Sequence, residues 1–390
     1  MNRFLQLLAC SLLSIALTLG VLSWQVQKIT DDPAGLVMFL RSVNLVKQNF
    51  DGPVDDAKLF SGAIDGMVKT LDDPYTEYLD EKEYQDLAEM TKGSFCGIGI
   101  IFGKREGEFV VISALPDNPG AAAGIKGGDK IMAIDGKSTE SLNMEEVSNL
   151  IRGDEGTELE MQLVDKNGKE KKVRVVRAEI KNPSVGSYML PNTKIGVLRI
   201  AAFNENTGEE FAEAYKKLET EGMQATVLDL RDNPGGLLDA GVSVARRLVP
   251  KGPIVSIIYK QGAKMTEESQ LEQVKYPLVV LINHGSASAS EIVAGAIKDT
   301  QAGYLIGEKS FGKGSVQTIF GLDGKTALKV TAAKYYTPSG VSIHHVGIEP
   351  DLVVSLPEPA YEDETGSYYT DTQMQAAKKY LLEKLAEEVE

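Results

Sequence analysis

The sequence predicts an α+β protein built from several domains. Three observations lead to this class: helical spacing of apolar residues over 28–92, short glycine-bounded strands over 93–180, and strands that alternate with helices over 181–356. Alternation of the last kind is typical of an α/β layer domain. With 390 residues the chain is long enough for two or three domains, each with an ordinary core.

Residues 1–27 are predicted to be a membrane anchor or signal segment. An apolar stretch from Phe4 to Trp24 follows Arg3. As a helix this stretch is about 31 Å long, which matches a hydrocarbon core of roughly 30 Å. We expect Arg3 to stay inside and the rest of the chain to be exported. The run from Leu7 to Cys10 resembles a bacterial lipoprotein cleavage box, which is a minor alternative.

Composition excludes several classes of protein. The formal net charge of −15 argues against a nucleic acid partner, because a phosphate-binding surface needs an excess of basic residues. The two cysteines are Cys10 and Cys96, so the exported part can form no disulfide within itself. Cys96 is expected to be a buried, small apolar residue. With three histidines the sequence indicates no metal site, and it indicates no cofactor.

Two helices are predicted within residues 28–92. The first has apolar residues at 36, 39, 40, 43 and 46, and the second at 59, 63, 64, 67, 68 and 71. Asp72-Asp73-Pro74 ends the second helix, because proline cannot continue it. Taken alone, this helical hairpin says little about function.

Residues 93–180 change to short strands separated by glycines and charged turns. Helices are predicted there only at Ala121–Ala123 and Met144–Ile151. The predicted strands are Gly97–Ile100, Phe109–Ile112, Lys130–Ile134, Leu159–Leu163 and Val173–Val176.

Residues 181–356 alternate strands and helices. A loop of sequence D-L-R-D-N-P-G-G, Asp229 to Gly236, separates a buried strand from the next helix. After Pro357, within residues 357–390, an acidic linker leads to a helix from about Asp371. The predicted strands are Ile195–Ile200, Ala225–Leu230 and Leu328–Tyr336, and the predicted helices are Phe211–Leu218 and Leu237–Leu248.

Ser288 lies at the turn between an apolar strand and a helix, in N-H-G-S-A-S-A-S-E-I. Such a turn exposes the hydroxyl and directs unpaired helix N-terminal amides at whatever it attacks, as acyl transfer requires. A hydroxyl attacks an amide only if a base takes its proton. Lys313, between two glycines in S-F-G-K-G-S-V-Q, is the stronger candidate for this base, because histidines are few.

As a base Lys313 must be neutral, so its pKa must fall well below the ordinary lysine value of about 10.4. Burial beside apolar residues such as Phe311 and Val316 lowers a lysine pKa. A Ser/His/Asp triad with His284 or His344 as the base stays open.

Two plainer interpretations also stay open. A serine before a helix is usually its N-cap, and Ser286 or Ser290 can be the cap here while Ser288 has no role. Gly312-Lys313-Gly314 can be a solvated turn.

S-A-S-A-S-E-I followed by F-G-K-G-x-V-Q resembles the carboxyl-terminal processing proteases, the PDZ-containing Ser/Lys peptidases of family S41 related to tail-specific protease. The resemblance implies that Ser288 is the nucleophile, Lys313 the base and Gln317 the residue that orients the lysine. It covers nearly all of residues 35–390 and implies a layered ClpP/crotonase-like core over 181–356. L-D-D-P-Y-T-E-Y-L, residues 71–79, resembles the end of the family's N-terminal helical region.

Attack by Ser288 places negative charge on the substrate oxygen, which needs two amide donors about 3 Å away. Ala289, next to the nucleophile, can supply one of them. Gly235 or Gly236 can supply the other, because glycine lets the backbone approach closely. The resemblance gives this loop the same role without choosing between the two glycines.

Other polar residues are expected to have structural roles. Arg231 and Asp232 are predicted to pair and to fix their loop. Asp299 is predicted to cap or pair after its helix. His344 and His345 are predicted to line or support the cleft.

The run from Pro116 to Gly136, P-D-N-P-G-A-A-A-G-I-K-G-G-D-K-I-M-A-I-D-G, resembles a PDZ domain. Such a domain adds a peptide strand to its edge and holds the terminal carboxylate with loop amides. Gly97, Ile98 and Gly99 match that loop. The alternative is a plain core strand with packing glycines.

Together these features predict a membrane-anchored serine endopeptidase of the bacterial cell envelope, with its catalytic domain outside the cytoplasm. The expected substrates are proteins or peptides with free, apolar C-termini. A homodimer or higher oligomer and an activating partner are expected as options, because the PDZ domain can either feed or block the cleft. Two alternatives stay open: a PDZ adaptor with an inert peptidase core, and a Ser/His hydrolase of small esters.

Overall fold

The computed structural model describes residues 30–356 and 371–387, together with residues 24–28 and residues 8, 11, 13, 14, 17, 18, 20 and 21. It divides into two compact units, Met1–Leu71 and Asp72–Glu390. Within the described residues no helix combines the length and apolar character needed to cross a bilayer. Most of the anchor predicted over residues 1–27 lies outside them. The domain boundaries given above stay predictions.

The first unit contains a pair of helices, α1 (Pro33–Asn49) and α2 (Asp56–Lys69). Each begins after an aspartate whose carboxylate accepts an N–H of the first turn at 2.9 Å, from Gly35 in α1 and from Ala57 in α2. Both helices lie where helices were predicted. None of the residues of α1, all of them described, is buried.

The second unit opens with strand β1 (Glu77–Leu79) and helix α3 (Glu81–Lys92). Asp80 and Glu83 form a capping box at the start of α3. Gly93 ends the helix with φ of 71°, a left-handed conformation that favours glycine. The chain then enters a domain of short strands.

This domain is an antiparallel sheet with two short helices. Strands β3, β4, β5, β7 and β8 lie in that order, with β6 beside β5, while β2 pairs separately with β9. Its core includes Ile98, Phe109 and Val147. The elements are β2 (Ser94–Gly97), β3 (Ile100–Arg105), β4 (Glu108–Ala114), α4 (Pro119–Ala122), β5 (Lys130–Ile134), β6 (Lys137–Ser138), α5 (Met144–Ile151), β7 (Glu158–Val164), β8 (Glu170–Val176) and β9 (Ala178–Lys181).

Two expectations for this domain are wrong in detail. The predicted strand Gly97–Ile100 is interrupted, because Gly99 takes φ of 69° and breaks the extended backbone between β2 and β3. Cys96 is half-buried instead of buried, because it stands in the two-stranded β2–β9 ladder and not in the main sheet.

The remaining elements form the layered core. They are β10 (Val185–Met189), β11 (Ile195–Ile200), α6 (Thr207–Thr220), β12 (Ala225–Asp229), α7 (Leu238–Ala245), β13 (Gly252–Tyr259), β14 (Lys264–Ser269), β15 (Leu278–Ile282), α8 (Ala289–Asp299), β16 (Tyr304–Gly307), β17 (Ser315–Gly321), β18 (Ala327–Tyr336), β19 (Leu352–Val353) and α9 (Thr372–Glu387).

The central sheet of the core has the order β10-β11-β12-β15-β16-β19, and all of its strands except β10 are parallel. Strand β15 is apolar on both faces, as expected for a strand covered on both sides. Val279 and Leu281 pack with Met374 of α9. Val280 and Ile282 share the other core with residues of α6, α7 and α8.

A second sheet lies beyond these helices. Its order is β1-β18-β13-β14, with β17 also paired to β18. Val255, Ile257 and Tyr335 of this sheet belong to the same buried cluster as α6, α7 and α8. The core therefore stacks α9, the parallel sheet, three helices and the second sheet, which confirms the predicted layered α/β class. The linker 357–370 lies outside the described residues.

Candidate active site

Three loops meet at one edge of the parallel sheet. We name them the glycine loop (Asp229–Gly236, after β12), the nucleophile loop (residues 283–288, after β15) and the lysine loop (residues 308–314, after β16). Because the strands are parallel and adjacent, the loops that follow their carboxyl ends lie side by side. The sheet thus brings together segments that are far apart in the sequence.

Ser288 is the N-cap residue of helix α8, which begins at Ala289. Its backbone has φ of 54° and ψ of −115°, a conformation that serine rarely adopts, at the sharp turn from β15 into the helix. The two serines proposed as alternative caps bind elsewhere. Ser286 Oγ donates to Leu230 O at 2.8 Å and Ser290 Oγ donates to Asn233 O at 2.9 Å. The interpretation that one of them caps the helix is therefore wrong.

The Glu291 carboxylate joins the nucleophile loop to the lysine loop. One of its oxygens accepts the backbone N–H of Ser288 at 2.8 Å and that of Lys313 at 2.9 Å. The other accepts Ser310 Oγ at 2.6 Å and Gly312 N–H at 2.7 Å. Glu291 has no exposed surface, and this burial raises its pKa, although the four donors favour the carboxylate.

The Tyr335 hydroxyl makes a second connection between the same two residues. It contacts the backbone carbonyl oxygens of Ser288, at 3.1 Å, and of Lys313. Tyr335 is buried, and burial raises its pKa well above 10, so the hydroxyl remains a donor. The backbones of Ser288 and Lys313 are therefore linked at both their N–H and their C=O groups.

Lys313 is half-buried, between buried Gly312 and Gly314, so it does not lie in a solvated turn. Burial lowers the pKa of Lys313, and the charge of Lys329 lowers it further. The carboxylates of Glu77, Asp73 and Glu291 raise it. The prediction that Phe311 helps to bury Lys313 is wrong, because Phe311 is itself 59% exposed. The Lys313 Nζ lies instead 4.7 Å from the ring centroid of Tyr75.

Gln317 lies on β17, beside the lysine loop. Its amide nitrogen donates to Ser315 Oγ at 3.0 Å and to Thr331 Oγ1 at 3.3 Å. Within the described residues it makes no hydrogen bond to Lys313. Its role in orienting the lysine stays a prediction.

The two glycines of the glycine loop differ in their hydrogen bonding. The N–H of Gly235 donates to Asn233 Oδ1 at 2.8 Å. The N–H groups of Gly236 and Ala289 have no partner among the described residues. Gly235 nevertheless lies closer to Ser288 than Gly236 does: a Cβ added to Gly235 is 2.6 Å from Ala287 O and 2.7 Å from Ser288 Cβ.

Arg231 and Asp232 do not form the predicted pair. The Arg231 guanidinium binds Asp229 at 2.8 and 2.9 Å and Asp371 at 2.9 Å, because it turns inward and is 7% exposed. Burial disfavours its charge, but the two carboxylates raise its pKa above the ordinary arginine value. Asp232 instead exchanges two hydrogen bonds of 2.9 Å with Asn283.

The other polar residues behave largely as predicted. Asp299 Oδ2 accepts Ser339 N–H at 2.9 Å, which is a structural role. The side chain of His284 is 84% exposed, and its Nδ1 lies 3.7 Å from Glu308. The His344 ring contacts the His345 ring, with 3.9 Å between the centroids and 45° between the planes, and burial lowers the pKa of His344.

The predicted PDZ loop has two free donors. The N–H groups of Ile98 and Gly99 have no hydrogen-bond partner in the described part of the chain, while the two carbonyls accept Gly120 N–H at 2.7 Å and Leu115 N–H at 2.9 Å. Gly97 ends β2. The capture of a carboxylate by these residues stays a prediction.

A groove of about 750 Å³ lies between the short-strand domain and the core. Phe95 and Met144 line it on one side, and Ala202 and Asn204 line it on the other. Phe203, between the last two, pairs with Gly236. The groove wall at Ala202 and Asn204 therefore flanks the residue that pairs with the glycine loop.

Sequence reasoning missed three residues of the site. Glu291 could have been found, because S-x-x-E at a helix start is the capping-box pattern. Tyr75 and Tyr335 gave no signal, since only the folded sheets bring them to the lysine loop.

Three family models match the chain. Peptidase family S41 matches residues 194–354, the PDZ domain matches residues 110–165, and the N-terminal domain of the activating protease CtpB matches residues 23–83. A solved structure from Bacteroides fragilis, described as a proposed S41 protease, has a TM-score of 0.52 at 16% identity and covers 86% of this chain and 95% of that one. At this identity the likeness concerns the fold alone.

Two curated relatives match over most of the chain. The carboxy-terminal-processing protease of Bartonella bacilliformis is 42% identical over 314 residues, 78% of this chain and 71% of that protein. The carboxy-terminal processing protease CtpA of Bacillus subtilis is 37% identical over 344 residues, 86% of this chain and 74% of that protein. The chain therefore belongs to the carboxy-terminal processing proteases of peptidase family S41, and it is a PDZ-containing serine-type peptidase.

Proposed function

We propose that this protein is a membrane-anchored endopeptidase that acts outside the cytoplasm, captures substrate C-termini with its PDZ domain and cleaves by a Ser288/Lys313 mechanism. One observation carries the catalytic assignment. Glu291 and Tyr335 connect the backbones of Ser288 and Lys313 through their N–H and C=O groups. Two buried side chains therefore fix the distance between the Ser288 and Lys313 backbones, which supports a reaction that needs both residues at once.

In the proposed first half-reaction, neutral Lys313 takes the proton of Ser288 Oγ as the oxygen attacks the scissile carbonyl. The lowered pKa of Lys313 supports this role, because the neutral amine is the base. The carbonyl oxygen becomes negative and accepts the N–H groups of Ala289 and Gly236, both without a protein partner. We propose Gly236 over Gly235, whose N–H is engaged by Asn233.

The first half-reaction ends when protonated Lys313 gives its proton to the leaving amine, and the carbon–nitrogen bond breaks to leave an acyl group on Ser288. In the second half-reaction Lys313 takes a proton from water as the water oxygen attacks the ester. Lys313 then returns this proton to Ser288 Oγ as the bond to the acyl carbon breaks and the acid leaves. Each step uses the same amide donors for the developing charge.

Substrate capture is proposed at Gly97, Ile98 and Gly99. The free N–H groups of Ile98 and Gly99 suit a terminal carboxylate, and the open edge of β3 suits an added strand. The groove between α5 and the core supports a path from this domain toward the glycine loop.

The Ser/His alternative has one remaining base. His284 is exposed and near Glu308, which argues against it. His344 packs on Gly314, and its Nδ1 is buried without a partner among the described residues. This hypothesis predicts that Lys313→Ala keeps activity.

Location and assembly are proposals from the sequence and the family. The apolar stretch from Phe4 to Trp24 supports an anchor with the peptidase outside. We expect the protein to stay in the membrane fraction during alkaline extraction, which tests the anchor. We expect protease added to spheroplasts to digest it, which tests its exposure outside the cytoplasm. Release of intact protein by the alkaline wash contradicts the anchor. The match of residues 23–83 to the CtpB N-terminal domain fits an activating partner. Self-association stays a proposal from the sequence resemblance alone.

The function is tested by cleavage of an unfolded protein that ends in an aliphatic residue. The full chain in mild detergent is compared with Ser288→Ala and Lys313→Ala, and the substrate with its C-terminally amidated form. We expect each variant to lose about 1000-fold or more in rate, and amidation to raise KM. Cleavage that survives in Lys313→Ala contradicts the mechanism. A parent chain that binds the free C-terminus without cutting favours the adaptor.

A further inference from the structure

The D-D-P-Y-T sequence just after α2 forms a turn that is anchored to the second sheet. Asp73 accepts Thr76 Oγ1 at 2.5 Å and Tyr75 N–H at 3.2 Å. Thr76 Oγ1 in turn accepts the N–H of Thr331 on β18 at 3.0 Å. The side-chain hydroxyl of Thr331 accepts a hydrogen bond of 3.3 Å from the Gln317 amide nitrogen.

The pairing that follows fixes the turn beside the lysine loop. β1 pairs with β18 from Glu77 opposite Lys329, and these two residues also form an ion pair. β18 pairs with β17, which directly follows the lysine loop. The C-terminal end of the turn is thus anchored to β18, and the Asp73 carboxylate closes the turn itself, so its side chains have little freedom to move.

This turn presents the Tyr75 ring to the catalytic lysine. The Lys313 Nζ lies 4.7 Å from the ring centroid, within the distance of a cation–π contact. Tyr75 is half-buried, and its ring lies 6.5 Å from that of His344, which packs on Gly314. The lysine amine therefore lies over the face of the Tyr75 ring, which limits the access of water to it.

We infer that Tyr75 is a positioning residue for the general base, and that its ring closes the lysine pocket against water. The inference rests on the proposed Ser288/Lys313 mechanism and deepens it. It assigns to the segment before β1 a part in catalysis that the strand pairing alone does not require.

The direction of the effect follows from two opposing contributions. The ring face favours the ammonium, but less than the water that it excludes, because a lysine ammonium is strongly hydrated. Removing the ring and admitting water must therefore raise the pKa of Lys313 and reduce the neutral fraction at neutral pH. The charged groups that act on Lys313 are Lys329, Glu77, Asp73 and Glu291, and the titratable His344 lies beside the Tyr75 ring. A Tyr75 substitution changes none of these residues.

The test is the pH dependence of kcat/KM for the full chain in mild detergent, with an internally quenched peptide that ends in an aliphatic residue. Tyr75→Ala is compared with the parent, with Tyr75→Phe, which keeps the ring, and with Tyr75→Met, which refills the volume. Tyr78→Ala, on β1 in the same segment, is the matched control. If Tyr75→Ala does not fold, Tyr75→Val replaces it.

We expect the acid limb of Tyr75→Ala to move to higher pH by about one unit. This corresponds to about tenfold lower kcat/KM near neutrality and to recovery at high pH. Tyr75→Phe, Tyr75→Met and Tyr78→Ala should follow the parent. An unchanged profile in Tyr75→Ala and Tyr75→Val, a uniform loss at all pH values, or equal losses in Tyr75→Ala and Tyr75→Phe overturns the inference.

The same assay separates the inference from the mechanism. Lys313→Ala with parental activity overturns the mechanism itself. An inactive Lys313→Ala beside a Tyr75→Ala with the parental profile overturns only the role of Tyr75.

Discussion

At the scale of single residues, the site depends on Ser288 being held in an unfavourable conformation. Its positive φ costs on the order of 1–3 kcal/mol unless the surroundings fix it. Glu291 fixes the N–H of Ser288, and Tyr335 contacts its carbonyl oxygen. Because both also bind Lys313, the strain at Ser288 and its spacing from Lys313 have the same support.

Glu291→Gln tests this support. A glutamine amide turns one acceptor into a donor that faces two N–H or O–H donors, so we expect about 1–3 kcal/mol lower stability for each donor left unpaired. Cleavage should fall by about 100-fold or more, because the dyad loses its fixed spacing. Urea unfolding and kcat measure the two effects. Glu308→Gln, in the lysine loop and near the exposed His284, is the control, and equal effects of both variants contradict the assignment.

Lys313→Met should stabilise the fold at neutral pH. The folded pKa of Lys313 is lowered by burial, so below that pKa the folded state carries a poorly solvated charge that the unfolded state does not. The parent therefore gains stability as the pH rises from the folded pKa to the unfolded value of about 10.4. We expect a Tm a few degrees above that of the parent at pH 7 and little difference near pH 11. Lys309→Met, an exposed neighbour, should lack this pH dependence. A lower Tm for Lys313→Met at pH 7 contradicts the account.

At the scale of elements, the site is assembled by adjacent parallel strands whose carboxyl ends meet. Asn283 and Asn233 tie the nucleophile loop to the glycine loop: Asn283 exchanges hydrogen bonds with Asp232, and Asn233 O accepts Ala287 N–H at 3.0 Å. The loops can therefore shift only together, which keeps the N–H groups of the glycine loop aligned with Ser288.

Gly235→Ala should abolish turnover while the protein still binds peptide. The added Cβ meets Ala287 O at 2.6 Å, and φ of 96° disfavours any side chain. We expect kcat to fall by about 100-fold or more, as for loss of an oxyanion donor, with little change in KM. Gly222→Ala has a similar φ of 90° but open space around it, and it serves as the control. Parental kcat in Gly235→Ala contradicts the close packing.

Arg231→Met should destabilise the core strongly. It leaves Asp229, which is 3% exposed, without its partner, and separates the glycine loop from the start of α9. Breaking a buried pair costs about 3–5 kcal/mol. The free energy of unfolding in urea measures this. Arg246→Met breaks an exposed pair with Glu267 and should cost about 0–1 kcal/mol, so similar values for the two variants contradict the prediction.

At the scale of the whole molecule, the sequence allowed prediction of those features that depend on residues close together in the chain. Hydrophobic periodicity correctly predicted β12, β15 and α8, and short motifs made Ser288 and Lys313 the candidate site residues, because these signals lie within a few residues. Contacts between residues that are far apart in the sequence were not predicted. Arg231 with Asp371, and Tyr75 with Lys313, depend on which strands become neighbours, and periodicity does not determine that. The strand break at Gly99 was not predicted, because glycine fits both an extended and a left-handed backbone.

The central claim is that Lys313 activates Ser288, and covalent labelling with a fluorophosphonate tests it most directly. Intact-mass and peptide mass spectrometry of the full chain follow the rate of labelling in the parent, Ser288→Ala and Lys313→Ala at pH 8. The account predicts one adduct on Ser288 in the parent, none in Ser288→Ala, and a rate lower by about 1000-fold in Lys313→Ala. Labelling of Ser288 at the parental rate in Lys313→Ala would contradict it.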